Sequence, residues 1–260
     1  MFRIAKKILS HRVLALTLLS AFAGFAQARE WRVTLGPLLE YGSDFPGARN
    51  RTSAPSVFLE VHDEAARARP ETADASRIEW VEEENYALGF AFNVRAERKQ
   101  SDLREAGFTG VAEVDTTFEL GAYAMHRIGM FELGVDLLKA VNGHKGFLLS
   151  PELAYESDNE ARIRWRLAAV ANYGNARYND AYFSTSGARF DGASIADFSA
   201  GSGMRDIGLR ATMIYDLNER WSSIARASAQ RYVGDANDST LVALGRKTDM
   251  RIGIGVAYTF

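Results

Sequence analysis

The feature that most narrows what this chain can fold into is a side-chain period of two at its C-terminus. Met250, Ile252, Ile254, Val256, Tyr258 and Phe260 alternate with Arg251, Gly253, Gly255, Ala257 and Thr259. An extended strand sends such a set to one face. The alternation recurs upstream. Phe131, Leu133, Val135 and Leu137 oppose Glu132, Gly134 and Asp136. Ile163, Trp165, Leu167, Ala169 and Ala171 oppose Arg162, Arg164 and Arg166, while Ile207, Leu209, Ala211, Met213 and Tyr215 oppose Asp206, Gly208, Arg210 and Thr212. Trp221, Ala225, Ala227 and Ala229 repeat the pattern, with Ile224 out of step.

The first 28 residues stand apart from this pattern. Arg3, Lys6, Lys7 and Arg12 precede an apolar run from Val13 to Phe25, which ends in Ala26-Gln27-Ala28. A basic head, a short apolar middle and a small-residue exit predict a secretory signal peptide cleaved after Ala28. Thirteen residues rise only about 20 Å as a helix, short of a bilayer core of roughly 30 Å. Residues 29–260 are then one exported domain. Removing those four basic residues from 31 leaves 27 Lys and Arg against 33 Asp and Glu, a balance that disfavours nucleic acid as a partner. No other stretch approaches 18 consecutive apolar residues, so no helical span is expected. Cysteine is absent, which removes disulfides, thiolate metal sites and a lipidated anchor.

A soluble β-sandwich would alternate as well. Strands of about 10 to 14 residues, aromatic residues near the apolar ends (Tyr155, Trp165, Tyr173, Tyr215, Trp221, Tyr232, Tyr258) and a heavily charged opposite face all favour a transmembrane antiparallel up-and-down β-barrel. Strands are predicted at 31–42, 51–62, 77–83, 86–98, 116–128, 130–141, 145–157, 161–174, 205–218, 221–233 and 247–260. That makes eleven, whereas single-chain barrels usually close with an even number. The expectation is therefore twelve, within a range of ten to fourteen, with a further short strand around Tyr182. His62 to Ser76 reads as a charged, Ala-rich linker. With the C-terminus on the periplasmic side, 99–115 and 175–204 become extracellular loops. If Asp158-Asn159-Glu160 is a three-residue turn, Ser157 pairs with Ala161, Leu153 faces Trp165, Tyr155 faces Ile163, Glu152 meets Arg166 and Glu156 meets Arg162. A turn at Asn142-Gly143-His144 likewise sets Leu137 opposite Leu149. Tyr258 and the terminal Phe260 resemble the closing strand that the barrel-assembly machinery recognises.

On the inner face, Glu119, Glu132, Asp136, Glu152 and Glu156 are expected beside Arg162, Arg164 and Arg166. Such a set either selects permeating solutes or fills a small barrel with paired charges; acids and bases on neighbouring strands favour the second. A twelve-strand interior is intermediate in width. His62, His126 and His144 show no metal-ligand spacing. His144 in Asn-Gly-His-Lys-Gly reads as loop chemistry, and His62-Asp63 as the polar end of a strand rather than half of an acid-base pair. No serine lies in a strained elbow motif. Asp235 to Ser239 lacks the glycine and distant Glu of a calcium loop and reads as a turn. Neither catalysis nor a cofactor or metal is expected.

Several short segments carry a family resemblance: Asp115-Thr116-Thr117-Phe118-Glu119-Leu120-Gly121, Gly143-His144-Lys145-Gly146, Tyr178-Asn179-Asp180-Ala181-Tyr182-Phe183, Asp206-Ile207-Gly208-Leu209, Trp221, Gly234 to Ser239 and the closing Gly-x-Gly-x-x-Tyr-x-Phe from Gly253. In order and spacing they resemble the MipA/OmpV family of outer-membrane proteins, the chain reading as a divergent member with Ser184-Thr185 where the family usually has Gly-Val. The resemblance implies an outer-membrane barrel, in contact with outer-membrane lipid. It also implies a scaffolding role towards murein hydrolases and synthases. A narrow channel for small solutes is the alternative, and an outer-membrane enzyme a distant third.

Overall fold

The computed structural model describes residues 31–63, 75–157 and 161–260. The predicted leader, the greater part of the 62–76 linker and the 158–160 turn lie outside these described residues. Eleven strands form one curled antiparallel sheet. In chain order they are β1 (Trp31–Ser43), β2 (Arg51–Asp63), β3 (Ser76–Glu82), β4 (Tyr86–Arg95), β6 (Thr117–Ile128), β7 (Phe131–Ala140), β8 (Phe147–Glu156), β9 (Ile163–Gly174), β12 (Gly203–Asp216), β13 (Trp221–Tyr232) and β14 (Thr248–Thr259). A small three-stranded sheet holds β5 (Phe108–Thr109), β10 (Arg189–Phe190) and β11 (Ala193–Ser194). All eleven expected strands are present. The twelfth is not among the described residues: the segment around Tyr182 is a helix.

Strand order in the sheet is β2-β1-β14-β13-β12-β9-β8-β7-β6-β4-β3. The first and last strands of the chain pair with each other, Leu35 opposite Tyr258 and Tyr41 opposite Ile252. This joins N- and C-terminal ends of the domain and closes most of the circle. Because every paired neighbour is antiparallel, β2 and β3, which meet where the sheet curls round, run in the same direction. Pro55 lies in β2, a strand paired on one side only, where a missing N–H donor is tolerated.

The two ends of the barrel differ. Short connections at 83–85, 129–130 and 217–220 lie beside Trp31 and Phe260; the long segments 96–116, 175–202 and 233–247 lie at the opposite end. Short turns face the periplasm and long loops the outside in barrels of this kind. Around the turn end, lipid-facing aromatic rings touch in pairs: Trp80 and Phe90 (5.5 Å), Phe131 and Tyr155 (5.2 Å), Tyr155 and Trp165 (5.4 Å), Trp221 and Tyr258 (5.1 Å). Such rings prefer the headgroup level. Above them the outward residues are exposed and apolar, Ile254 at 66% and Leu120 at 58% among them.

Register follows expectation at the β7–β8 turn, with Leu137 opposite Leu149. At β8–β9 it does not. Glu156 lies opposite Arg166, Leu153 opposite Ala169 and Tyr155 opposite Leu167, and Ser157 donates its N–H to the carbonyl of Trp165. The connection is four residues longer than a three-residue turn requires. An even offset keeps each side chain on its own face, so the inward and outward sets survive although the partners change. Inside the sheet, Gly121 allows β7 to approach closely: a Cβ there would lie 1.8 Å from the carbonyl oxygen of Leu137. Gly121→Val is expected to lower stability by about 1–3 kcal/mol, seen as a lower urea midpoint in micelles; an unchanged midpoint would contradict this close approach.

Candidate functional site

Inward-facing side chains on β3, β7, β8 and β9 form one buried ion network. Arg166 on β9 is 2% exposed and reaches three carboxylates: Glu156 (2.6 Å), Glu132 (2.7 Å) and Glu152 (2.7 Å). Glu152 is shared with Arg77 at 3.1 Å, and Arg77 also holds Asp136 through two bonds of 3.0 and 2.8 Å. Arg127 approaches Glu132 at 3.4 Å, and the Arg77 guanidinium lies 5.1 Å from the Tyr123 ring centroid. Alternating acids and guanidinium groups neutralise one another, and the planar fork of Arg suits several carboxylates at once.

The opposite side of the interior mixes buried polar groups such as Arg210 and Thr212 with an apolar cluster, and Arg226 lies 5.0 Å from the Phe58 ring. Leu38, Phe58, Ile214, Ile224 and Ala257 form a buried cluster across β1, β2, β12, β13 and β14. Ile224, out of step with its apolar neighbours in the sequence, belongs to this inner set. Ion network and apolar cluster both face into the barrel, with Arg166, Ile214 and Ile224 towards the turn end. Two recesses open to the surface among the described residues. One of about 350 Å³ is on the loop side beside Glu97, Gln100, Arg104 and Glu113, and the other of about 320 Å³ is on the lipid face beside Trp165 and Met213.

A second polar cluster lies nearer the loop end. Glu119 is 1% exposed and accepts from Asn93 (2.7 Å) and Arg95 (3.0 Å), with His144 Nε2 at 2.8 Å. His144 Nδ1 accepts the N–H of Gly146 at 3.1 Å. That bond assigns the ring proton to Nε2, which therefore donates to Glu119. Tyr178 stands between two cations, 5.6 Å from Arg95 and 5.4 Å from Arg205, with His144 edge-on at 4.7 Å. An irregularity between Met204 and Asp206 leaves the adjacent Arg205 and Asp206 both buried and bonded to each other. Asp206 also accepts from Asn172, which meets Ser150 at 2.7 Å.

Among the described residues, four short helices cover this end: α1 (Gln100–Glu105), α2 (Ala176–Phe183), α3 (Gly234–Asp238) and α4 (Thr240–Leu244). Asn175 starts α2 by accepting the Tyr178 N–H, the side-chain cap that Asn provides readily. Phe45, Leu103, Phe108, Val111 and Leu241 form one buried cluster among the loops, and Tyr178, Tyr182, Phe183, Tyr232 and Val242 belong to another. Between them sits Arg98, 2% exposed. It donates to the carbonyl oxygens of Tyr182 (2.8 Å), Ala181 (2.8 Å) and Ala112 (2.9 Å). Burial pulls its pKa down to about 10, still charged at neutral pH. Burial likewise raises the Tyr182 phenol above its ordinary value.

Of the eight inner charges expected from sequence, the structure joins Glu132, Asp136, Glu152, Glu156 and Arg166 in one network. Arg164 is buried but pairs with Asp216 on β12 (2.5 and 2.8 Å). Glu119 belongs to the loop-end cluster. Arg162 is not inward: it is exposed at the turn, where it donates to the Asp216 carbonyl (2.9 Å) and lies 4.9 Å from the Tyr215 ring. The register offset removes it from Glu156. His144 does lie in a loop, next to Gly143 at φ 57°, and its side chain is buried there. Asp235 to Asp238 form the single turn of α3. Tyr258 touches both Trp221 and Phe260, and the Phe260 N–H donates to Val33. Sequence reading missed Arg77, Arg95 and Arg98. Arg77 does alternate with Ile78 and Trp80, a faint signal, whereas nothing local marks Arg98.

A curled sheet of long antiparallel strands, lipid-facing aromatic pairs at one end and a charged interior define a β-barrel of outer-membrane type. The chain belongs to the family described as MltA-interacting protein MipA, whose model matches residues 33–260. No curated protein gives a match. Among solved structures the chain is similar to an outer membrane channel from Pseudomonas putida F1 (9% identity, 90% of this chain and 97% of that one, TM-score 0.41). It is also similar to the KdgM porin (8%, 89% and 99%, 0.39) and to the translocator domain of the autotransporter NalP from Neisseria meningitidis (10%, 97% and 97%, 0.39).

Proposed function

We infer that this protein is a non-conducting, non-enzymatic barrel, exported through its N-terminal leader and seated in the outer membrane. Its periplasmic end serves as a scaffold for murein-processing enzymes. The charged and apolar side chains gathered inside the barrel are the observation that supports the reading. Arg166 with its three carboxylates on one side, and Phe58, Ile214 and Ile224 on the other, take up the space a solute would need. The loops packed over Arg98 cover the outer mouth. The family's description, which names an interaction with MltA, supports the choice of partner. Tyr258 and Phe260 serve as the signal to the barrel-assembly machinery, and no cofactor is called for.

Planar bilayers separate this scaffold from a narrow channel. The expected result is a silent barrel; discrete openings, altered when Arg164 becomes Ala, would establish the channel instead. The scaffold is tested by immobilising the protein in lipid nanodiscs and measuring binding of purified MltA. Saturable binding with a Kd of about 1 μM or tighter is expected, a free energy of about −8 kcal/mol. No binding at all would sink the scaffold.

A further inference from the structure

At the loop end, the strands β13, β14, β1 and β2 present a run of cations; Arg49 among them is turned to the loops, donating to the Leu244 carbonyl (2.5 Å) and lying 4.9 Å from the Phe190 ring. Arg231 lies on the outward face of β13, in step with Ala227 and Ala229 and opposite Thr248. Lys247 and Arg246 precede β14; the Lys247 carbonyl accepts the Tyr232 N–H, and the Arg246 Nε donates to the Arg49 carbonyl at 2.9 Å. Arg51 opens β2 opposite Ser43. Arg49, Arg231, Arg246 and Lys247 are exposed and Arg51 half-buried. Four neighbouring strands at about 4.8 Å spacing make this an arc about 14 Å wide.

The acids of the same strands turn the other way. Asp249 faces inward, near Arg251 (3.5 Å), and Asp44 accepts from the inward-facing Thr52 (2.5 Å). On α3, the Asp235 carboxylate accepts the Gly201 N–H (2.6 Å), and Asp238 is held by Asn237 (2.9 Å). The cations of these strands thus face outward at the rim, with Asp235, Asp238 and Glu105 the exposed acids near them. Directly beneath the rim, on the lipid face, lie Tyr41, Leu39, Met250, Ile252 and Ile254, from 44% to 66% exposed. A cationic rim above an apolar wall at the outer-leaflet side suits an amphiphile whose anionic groups sit at the acyl boundary. Guanidinium groups pair with phosphate oxygens in bidentate fashion.

We propose that this arc, Arg231, Arg246, Lys247 and Arg51, binds the phosphates of the lipid A part of lipopolysaccharide, with the acyl chains along the outer faces of β14 and β1. The site is independent of the scaffold reading and stands or falls separately from it.

The test compares full-length protein in detergent with a variant carrying Arg231→Gln, Arg246→Gln and Lys247→Gln, and with a control carrying Lys139→Gln and Lys145→Gln on the far side of the barrel. Binding of purified lipid A and of phosphatidylglycerol is measured for each, after heat-modified gel migration confirms folding. The triple variant is expected to lose lipid A affinity about a hundredfold, and Arg231→Gln alone about fivefold; the control stays within about twofold. Phosphatidylglycerol is expected to bind the parent at least about tenfold more weakly than lipid A. Unchanged binding in the triple variant, an equal loss in the control, or equal binding of the two lipids would overturn the proposal. Should the triple variant misfold, the single variant decides by the same criterion.

Discussion

Arg166→Ala removes the folded, heat-modifiable form of the barrel at denaturant concentrations the parent withstands. Arg166 neutralises Glu132, Glu152 and Glu156 at 2.6–2.7 Å, and only Glu156, with a side chain 20% exposed, has appreciable access to water. Truncating one partner of a buried charge set leaves uncompensated charge and costs about 3–5 kcal/mol. Arg77 still holds Glu152, but among the described residues Glu132 keeps only the 3.4 Å approach of Arg127. The paired variant Arg166→Gln with Glu132→Gln is expected to recover part of the loss, because it removes charge from both sides. Urea unfolding in micelles reads both. A parent-like midpoint for Arg166→Ala would mean that the network is wet and contributes little, and a channel would come back into view.

Arg98→Ala loosens the loop end while the barrel persists. Three carbonyl oxygens, those of Tyr182, Ala181 and Ala112, lose their buried donor, at about 1–3 kcal/mol for each group left unsatisfied. The packing of the guanidinium near Phe45 and Tyr182, at 6.0 and 5.7 Å, goes with it. Hydrogen exchange along α2 is expected to rise by about two orders of magnitude or more, following the opening free energy removed, and trypsin to cleave after Arg177. Exchange in β7 and β8 stays as in the parent. Arg98→Lys restores a single donor point rather than a fork and recovers only part of the protection. Equal exchange in parent and variant would show that the loops are held by their apolar clusters alone.

These two arginines also mark how far the sequence could be read. Strands announced themselves because lipid on one side and a charged interior on the other force a period of two along every strand, so even the short β3 was legible. Arg166 and its acids shared that period and were visible as a set. Their partners were not, since pairing depends on the length of the β8–β9 connection, and one turn misjudged by four residues took Arg162 out of the set. Arg98 and His144 lie in connections, where no period operates; their burial is created by loops meeting at the barrel mouth from positions far apart in the chain. Tyr182 misled for a related reason. Aromatic and apolar residues at a short spacing suit a strand or one face of a helix equally, and the Asn175 cap decides for the helix. Parity was a weaker guide than alternation: β2 and β3 run in the same direction, an arrangement the even-number rule does not anticipate.

The central claim is about which side chains face lipid. Because the chain has no cysteine, single cysteines can be placed one at a time from Phe131 to Leu137, spin-labelled and tested in bilayers against oxygen and a water-soluble nickel complex. Labels at 131, 133, 135 and 137 should collide with oxygen and be shielded from nickel, while those at 132, 134 and 136 should resist both. A smooth profile along β7, or nickel access at the odd positions, would contradict a barrel whose odd-numbered β7 side chains face lipid.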